Sequence, residues 1–311
     1  MVFFSVVIPL YNKVSYIENT IKSVLDQSFI DYEIIVINDE STDESEAVVL
    51  GFDDKRIRLY SQKNQGVSVA RNLGIEKAKY NYIAFLDADD LWMENHLETL
   101  KNLIQDFPNA GIFASRYQLV FKEGKVTVPK FRGIATDFYG IVPDYFEASL
   151  NYAVTTSSSI AVPKWVFGEI GNFKSKISSG QDSDMWIRIA SKYSVAISNK
   201  ITASYLHYIQ NSLSKTPILD KKIKDFNDYK LEELANPSLK KYLDLYRMEY
   251  ALQYKIAGAK TISKQLYDDI DKNNILLKSK ILFHFPIKIL LILLQFKQYL
   301  RAKGIDFSIY Q

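Results

Sequence analysis

Over its first hundred residues the chain alternates compact runs of Val, Ile, Phe and Tyr with stretches of helical period, and few architectures accept that alternation. The runs are Phe4 to Pro9, Glu33 to Asn38, Ile57 to Ser61 and Tyr82 to Leu86. They are short, apolar and rich in β-branched or aromatic residues, as strands buried on both faces are. Between them Ile17, Ile21, Val24 and Leu25 fall on one face of a helix, with Ser15 placed to cap it. Thr42 to Val49, Ser68 to Ala78 and Glu94 to Phe107 read as further helices. Strand and helix in turn, with short connections, specify an α/β fold: a mostly parallel central sheet with flanking helices on both faces. Ligands of such sheets sit at the carboxyl ends of the strands, so the residues just after each strand are the candidates for chemistry.

From Gly111 to about His207 the pattern becomes mixed. Ile112 to Phe121 and Val126 to Val128 flank a hairpin-like turn at Lys122-Glu123-Gly124-Lys125, and Asp182 to Lys192 reads as a helix. Beyond Thr216 the chain turns helical and more polar, punctuated by Pro217 and Pro237. These shifts divide it into a sheet domain over residues 1–212, with halves 1–110 and 111–212, and a helical C-terminal region over 213–311. Met1 to Pro9 has no basic leader or cleavage site and reads as a first strand rather than a signal peptide. No stretch reaches the roughly 18 uncharged apolar residues of a spanning helix. Ile281 to Phe296 comes nearest, interrupted by His284, Pro286 and Lys288.

Composition narrows the chemistry. With 47% hydrophobic and 24% charged residues the chain is an ordinary folded one. The absence of cysteine excludes disulfide frameworks, thiolate metal sites and cysteine nucleophiles. A net charge of +3 does not argue for nucleic acid, but its distribution is uneven. Residues 276–303 hold Lys278, Lys280, Lys288, Lys297, Arg301 and Lys303 and no acid, so this segment carries +6 and the rest of the chain −3. Lys280, His284, Lys288, Gln295 and Gln298 form a polar stripe on an otherwise Ile, Leu and Phe surface, and Pro286 should kink or restart the helix. A basic amphipathic segment of this type suits an anionic membrane surface, or else a helix packed on the sheet domain or a partner subunit.

Several common sites are missing. No two of the twelve glycines are separated by one residue, so there is no Gly-x-Gly phosphate loop. His96, His207 and His284 are too far apart for a His-Glu-x-x-His zinc helix, and there is no Gly-x-Ser-x-Gly elbow. Carboxylates take their place. After the fourth strand comes Asp87-Ala88-Asp89-Asp90, three acids that repel one another unless a cation neutralises them. Mg²⁺ or Mn²⁺ characteristically joins one or two such carboxylates to substrate phosphates, whereas capping of the next helix by Asp89 or Asp90 needs only one. Asp39 ends the second strand, ahead of Ser41-Thr42-Asp43, where Thr42 or Asp43 suits a helix start. Asp182 and Asp184 stand at another probable helix start, a structural place for acid but also one from which a general base could act.

Taken together these runs resemble glycosyltransferase family 2 of bacterial surface-polysaccharide type, on the GT-A (Rossmann-like) fold. Val6 to Asn12 is similar to its opening strand and loop, and Glu33 to Asp39 with Ser41-Thr42-Asp43 to its second. Asn64 to Ile75 is similar to a third run, and Tyr82 to Asp90 to the strand bearing Asp-x-Asp. Tyr205-Leu206-His207 with Ser212-Leu213-Ser214 resembles the end of the catalytic domain. The resemblance implies that Pro9, Tyr11, Asp39, Asn64 and Arg71 surround the nucleoside of a sugar nucleotide, with Asp39 on the base. It implies Asp87 beside the ribose and sugar, Asp89 and His207 toward a divalent metal, Mn²⁺ or Mg²⁺, and Asp182 as catalytic base. Three positions depart from the pattern: Glu40 replaces a Gly, Gln181 replaces the Glu before the base, and Tyr205 replaces an Arg.

The expected activity is one inverting, metal-dependent transfer per acceptor, from a nucleotide diphosphate sugar such as a UDP-sugar. The acceptor would be a glycan linked to undecaprenyl diphosphate, in O-antigen or capsule repeat-unit synthesis. The enzyme would be cytoplasmic and peripheral on the inner face of the cell membrane. No feature calls for nucleic acid, and an oligomer is open. A sugar-1-phosphate nucleotidyltransferase is the rival enzyme and would want a Gly-rich amino-terminal loop. A non-catalytic, membrane-attached sugar-nucleotide-binding protein is the other alternative.

Overall fold

A computed structural model describes residues 1–207 and 216–302. The first half runs β1 (Phe4–Leu10), α1 (Ile17–Leu25), β2 (Tyr32–Asn38), α2 (Ser45–Leu50), β3 (Ile57–Ser61), α3 (Val67–Lys77), β4 (Tyr82–Phe85), β5 (Leu91–Trp92) and α4 (His96–Asp106). Next come β6 (Ile112–Val120), β7 (Val126–Thr127), β8 (Gly140–Ile141), α5 (Tyr145–Ala148), β9 (Ile160–Pro163), α6 (Lys164–Ile170), α7 (Gln181–Ala190) and β10 (Val195–Leu206). The helices α8 (Lys230–Ala235), α9 (Pro237–Ile256), α10 (Lys260–Asp268), α11 (Leu277–His284) and α12 (Ile287–Ala302) follow.

All ten strands join one sheet, in the order β3-β2-β1-β4-β9-β6-β10-β5, with β7 on β6 and β8 on β10. β1 to β4 are parallel, as the alternation requires. β9 is antiparallel to both β4 and β6, and β10 is parallel to β6, so β6 and β10 run in the direction of β1. The mixed second half of the sequence is thus a mixed half of the sheet. Every residue of β1 and β2 is buried, which is why they read as unbroken apolar runs. α3 lies so close to β1 that a Cβ on Gly74 would fall 2.3 Å from Val7 Cγ1, so only glycine fits there.

α1 buries Ile17, Ile21 and Val24 of the expected stripe, with Thr20 beside them and Leu25 half-buried. Its cap differs from expectation: Tyr16 holds the cap position, and the Lys13 carbonyl accepts from the Tyr16 and Ile17 amides at 2.9 Å. Ser15 lies one residue too early to reach them. Pro237 occupies the first turn of α9, where its missing N–H costs nothing, and Pro286 separates α11 from α12. Phe226, Tyr229, Leu239, Tyr242, Leu243 and Tyr250 belong to the same core as the sheet. α10 to α12 add a second, smaller core on the far side of α9, around Met248, Leu252, Ile275 and Leu282. Among the described residues no helix is long and apolar enough to cross a membrane.

Candidate active site

Because β1, β2 and β4 are parallel and in register, the loops leaving them emerge side by side. Leu10 is level with Asn38, and Val7 with Phe85. The first two loops are sewn together: Asn12 Oδ1 accepts from Thr42 N at 2.7 Å, Lys13 N donates to Ser45 Oγ at 2.8 Å, and Val14 N donates to Asp43 Oδ2 at 3.1 Å. Asp43 also accepts from Ser45 N at 3.0 Å, but Glu44 holds the cap position, so α2 starts later than the expected Thr42 or Asp43. This leaves Tyr11 standing out, 46% exposed, above the buried Pro9.

Asp39 is buried at the tip of β2. Its Oδ1 accepts from Gln62 Nε2 at 2.7 Å and Gln65 N at 3.0 Å, and its Oδ2 from Gly66 N at 2.8 Å. It therefore shapes the loop that carries the exposed Asn64 and that turns into α3 through Gly66 at φ 87°. Next to it Glu40, where a glycine is usual, adopts φ 61°. The backbone keeps the left-handed bend that glycine would supply, and Glu40 Oε2 ties it to Asn64 N at 3.1 Å.

The acidic turn after β4 divides its labour. Asp90 is buried and pinned, with Oδ2 accepting from Ser158 Oγ at 2.5 Å and Oδ1 from Leu206 N at 3.1 Å. It fastens the turn to the end of β10 and caps no helix. Asp87 Oδ1 accepts from Arg71 Nη2 at 2.6 Å, and Asp89 Oδ2 from Lys13 Nζ at 2.5 Å. Burial, then the charges of Asp89 and Asp87, push the Asp90 carboxyl well above the usual carboxylate range. Burial also raises Asp89, against the pull of Lys13. Arg71 is 2% exposed, and its Nε and Nη1 have no hydrogen-bond partner among the described residues.

At the same edge β6 and β10 end on Val120 and Leu206. His207 N donates to the Val120 carbonyl at 2.9 Å, and its ring lies 5.0 Å from that of Phe121. Ser212, Leu213 and Ser214 lie outside the described residues. Among the described residues no three His, Asp or Glu side chains gather into a metal cage. Tyr205 is half-buried in the middle of the edge. Burial raises its phenol, and the charges of Asp90, Asp87, Asp89 and Asp182 raise it further. The one hydroxyl thus lies in the field of both the acidic turn and Asp182.

Asp182 sits in the first turn of α7, half-buried, with Oδ1 accepting from Ser183 N at 2.7 Å. Asp184, two residues on and fully buried, is a structural acid. It takes Lys174 at 3.0 Å, Arg188 at 2.9 Å and the Tyr229 hydroxyl. Burial alone would raise its carboxyl, but Arg188, Tyr229 and Lys174 together hold it below the usual range. The two acids that look alike in sequence are thus told apart by their partners.

Sequence reasoning missed Lys13, Tyr205 as a link between the acid clusters, and the residues that the C-terminal region brings to Asp182. Lys13 directly follows a run already singled out, and its charge opposite an acidic turn was a signal available for use. The others come together only through the fold.

A mixed α/β sheet of this order, with an Asp-x-Asp turn after β4 beside a buried arginine, has the architecture of the GT-A fold. The sequence model described as glycosyl transferase family 2 matches residues 5–172, more than half the chain, and the chain belongs to that family. An uncharacterized glycosyltransferase of Rickettsia bellii is 36% identical over 195 residues, 60% of this chain and 26% of that protein. The chain thus spans about a quarter of that relative's length. The putative teichuronic acid biosynthesis glycosyltransferase TuaG of Bacillus subtilis is 39% identical over 123 residues, 39% of this chain and 48% of TuaG. Among solved structures, residues 1–349 of S. aureus TarS in complex with UDP-GlcNAc share the fold, with a TM-score of 0.58 at 15% identity. That match covers 86% of this chain and 90% of the TarS chain.

Proposed function

We propose that the chain moves one sugar, with inversion, from a UDP-sugar to a hydroxyl of a lipid-linked glycan, in building a bacterial surface polysaccharide such as O-antigen or capsule. The observation that carries this reading is the buried Arg71 paired with Asp87 in the acidic turn after β4, with the charges of that turn and of Asp182 both acting on Tyr205. The UDP-GlcNAc complex of TarS supports the donor class, and the name of TuaG supports a surface polysaccharide.

In this reading Tyr11, Asn64 and Asp39 receive the nucleoside. Three hydrogen bonds leave the Asp39 carboxylate one acceptor direction for the base. Arg71 has two unpartnered nitrogens, Nε and Nη1, whose N–H groups can meet the diphosphate, and it holds Asp87 toward the ribose and sugar. The acidic turn fits a hard divalent ion, Mn²⁺ or Mg²⁺. Clustered carboxylates there already draw the Lys13 ammonium onto Asp89, and such an ion needs only one or two protein ligands when a diphosphate supplies the rest. Asp89 would hold it, with His207 as the second ligand. When bound it would offset charge on the departing diphosphate.

Asp182 takes the proton of the acceptor hydroxyl as that oxygen attacks the anomeric carbon from the face opposite the leaving group. The bond to the diphosphate oxygen breaks in the same displacement. Asp182→Asn is expected to lower turnover by about 10²–10⁴-fold and to leave UDP affinity nearly unchanged. Undiminished turnover in that variant would refute the base assignment. Attachment of the helical tail to the inner face of the cell membrane completes the proposal, since it brings the site to a lipid-borne acceptor.

A further inference from the structure

Lys224 lies in the segment between β10 and α8 and is 1% exposed. A buried ammonium is unfavourable unless its surroundings answer the charge. Its hydrogen-bond partner is a hydroxyl: Nζ donates to Ser183 Oγ at 2.5 Å, and Ser183 Oγ in turn donates to the Gly180 carbonyl at 2.9 Å. The Tyr246 ring of α9 stands 4.5 Å from Nζ, close enough for a cation–π contact. Of the charges near Lys224, Asp182 acts on it most strongly, ahead of Asp184 and Glu249, while the Lys174 ammonium opposes them. Burial nevertheless pushes the ammonium down to about 8.

The surrounding chain is built to keep it there. Ser178 N donates to the Lys222 carbonyl at 2.9 Å, and Lys222 N donates to Ser178 Oγ at 2.9 Å, so the segment runs against the turn that leads into α7. That turn passes through Gly180 at φ 76°, where a side chain would meet Ser183 Oγ and the Tyr250 hydroxyl at 3.2 Å. The groups on which the Asp182 charge acts are Lys224, Tyr145 of α5, Tyr205 of β10, and Tyr242, Tyr246 and Tyr250 of α9, with Asp184 on its own helix. Burial raises all five phenols, which keeps them neutral at the pH where the enzyme would work, and Lys224 is the cation of this set.

We propose that Lys224 is a positioning residue for the transfer: held by the Ser183 hydroxyl and the Tyr246 ring, its ammonium fixes the Gly180–Ser183 turn and supplies the positive charge beside the Asp182 carboxylate. The inference rests on reading Asp182 as the base. It makes the C-terminal region part of the catalytic apparatus, since Lys224 and Tyr246 both lie beyond residue 212.

The test uses the full chain and the nucleotide sugar that the wild type hydrolyses fastest. Lys224→Met is expected to lower kcat by about tenfold or more, with UDP affinity unchanged within about twofold. Its melting temperature should equal or exceed that of the wild type, because the desolvation cost of a buried ammonium has gone. In the wild type kcat should fall as pH rises through about 8, where Lys224 loses its proton. Lys224→Arg, which stays charged, should recover part of kcat and lose that alkaline limb. Wild-type kcat in Lys224→Met would overturn the proposal. So would a lower kcat with a lower melting temperature and an alkaline limb unchanged in Lys224→Arg. Full turnover in Asp182→Asn would instead remove the base itself, a failure distinguishable from that of Lys224.

Discussion

His96 is completely buried at the start of α4, its ring stacked 4.2 Å from that of Trp92 and its Nδ1 2.7 Å from Thr202 Oγ1. Burial holds its imidazole down to about 3, so it stays neutral in the folded chain and charges only in the unfolded one. The sign follows from proton binding: between pH 6.5 and 3 the unfolded state holds the extra proton, so stability falls as pH falls. About 2 kcal/mol should be lost from this residue between pH 7 and pH 5. Urea midpoints across that range should show less acid sensitivity in His96→Gln, and identical slopes would contradict the buried neutral ring. In sequence, His96 is one of three isolated histidines, and only burial distinguishes it. Glu40 is the opposite case, since its departure from glycine is plain in the sequence while its left-handed φ is visible only in the structure.

At the level of elements, the parallel half of the sheet was legible because each strand from β1 to β4 carries its own apolar signature and its own loop. β8 and β5 were not, since each has two residues and owes its strand character to β10. The candidate site follows the same division. Asp39, Arg71, Asp87, Asp89 and Asp182 could be named from local runs, whereas the separation of Asp182 from Asp184 depends on Lys174, Arg188 and Tyr229, which come from three different segments. α7 is anchored through Asp184, which is fully buried beneath those partners. Asp184→Ala leaves that group of donors without its acceptor and should cost about 3 kcal/mol, read from urea unfolding. A loss below about 0.5 kcal/mol, the ordinary range for a surface position, would show that Asp184 is no anchor.

Over the whole molecule, charge and apolar surface are both displaced toward the C-terminal end. α11 and α12 leave Leu277 at 70%, Ile292 at 63%, Phe296 at 54% and Tyr299 at 58% exposure, while Lys278 and Lys288 are also exposed. Apolar side chains cover more of the girth of α12 than a single polar stripe suggests, and among its described residues Leu290 is the buried one. A surface both apolar and cationic fits an anionic membrane better than water. The intact chain should sediment with vesicles containing phosphatidylglycerol and much less with neutral ones. Removal of residues 276–311 should abolish the difference, and equal recovery with either vesicle would exclude the membrane reading.

The central claim is that the strand-end site is a nucleotide-sugar transferase site, and a panel of nucleotide sugars incubated with the wild-type chain tests it most directly. The account expects at least one, a UDP-sugar, to be hydrolysed to free sugar and nucleoside diphosphate, faster with Mn²⁺ or Mg²⁺ than with excess chelator, and far more slowly by Asp182→Asn. Binding or hydrolysis of none of them by the folded chain would contradict it.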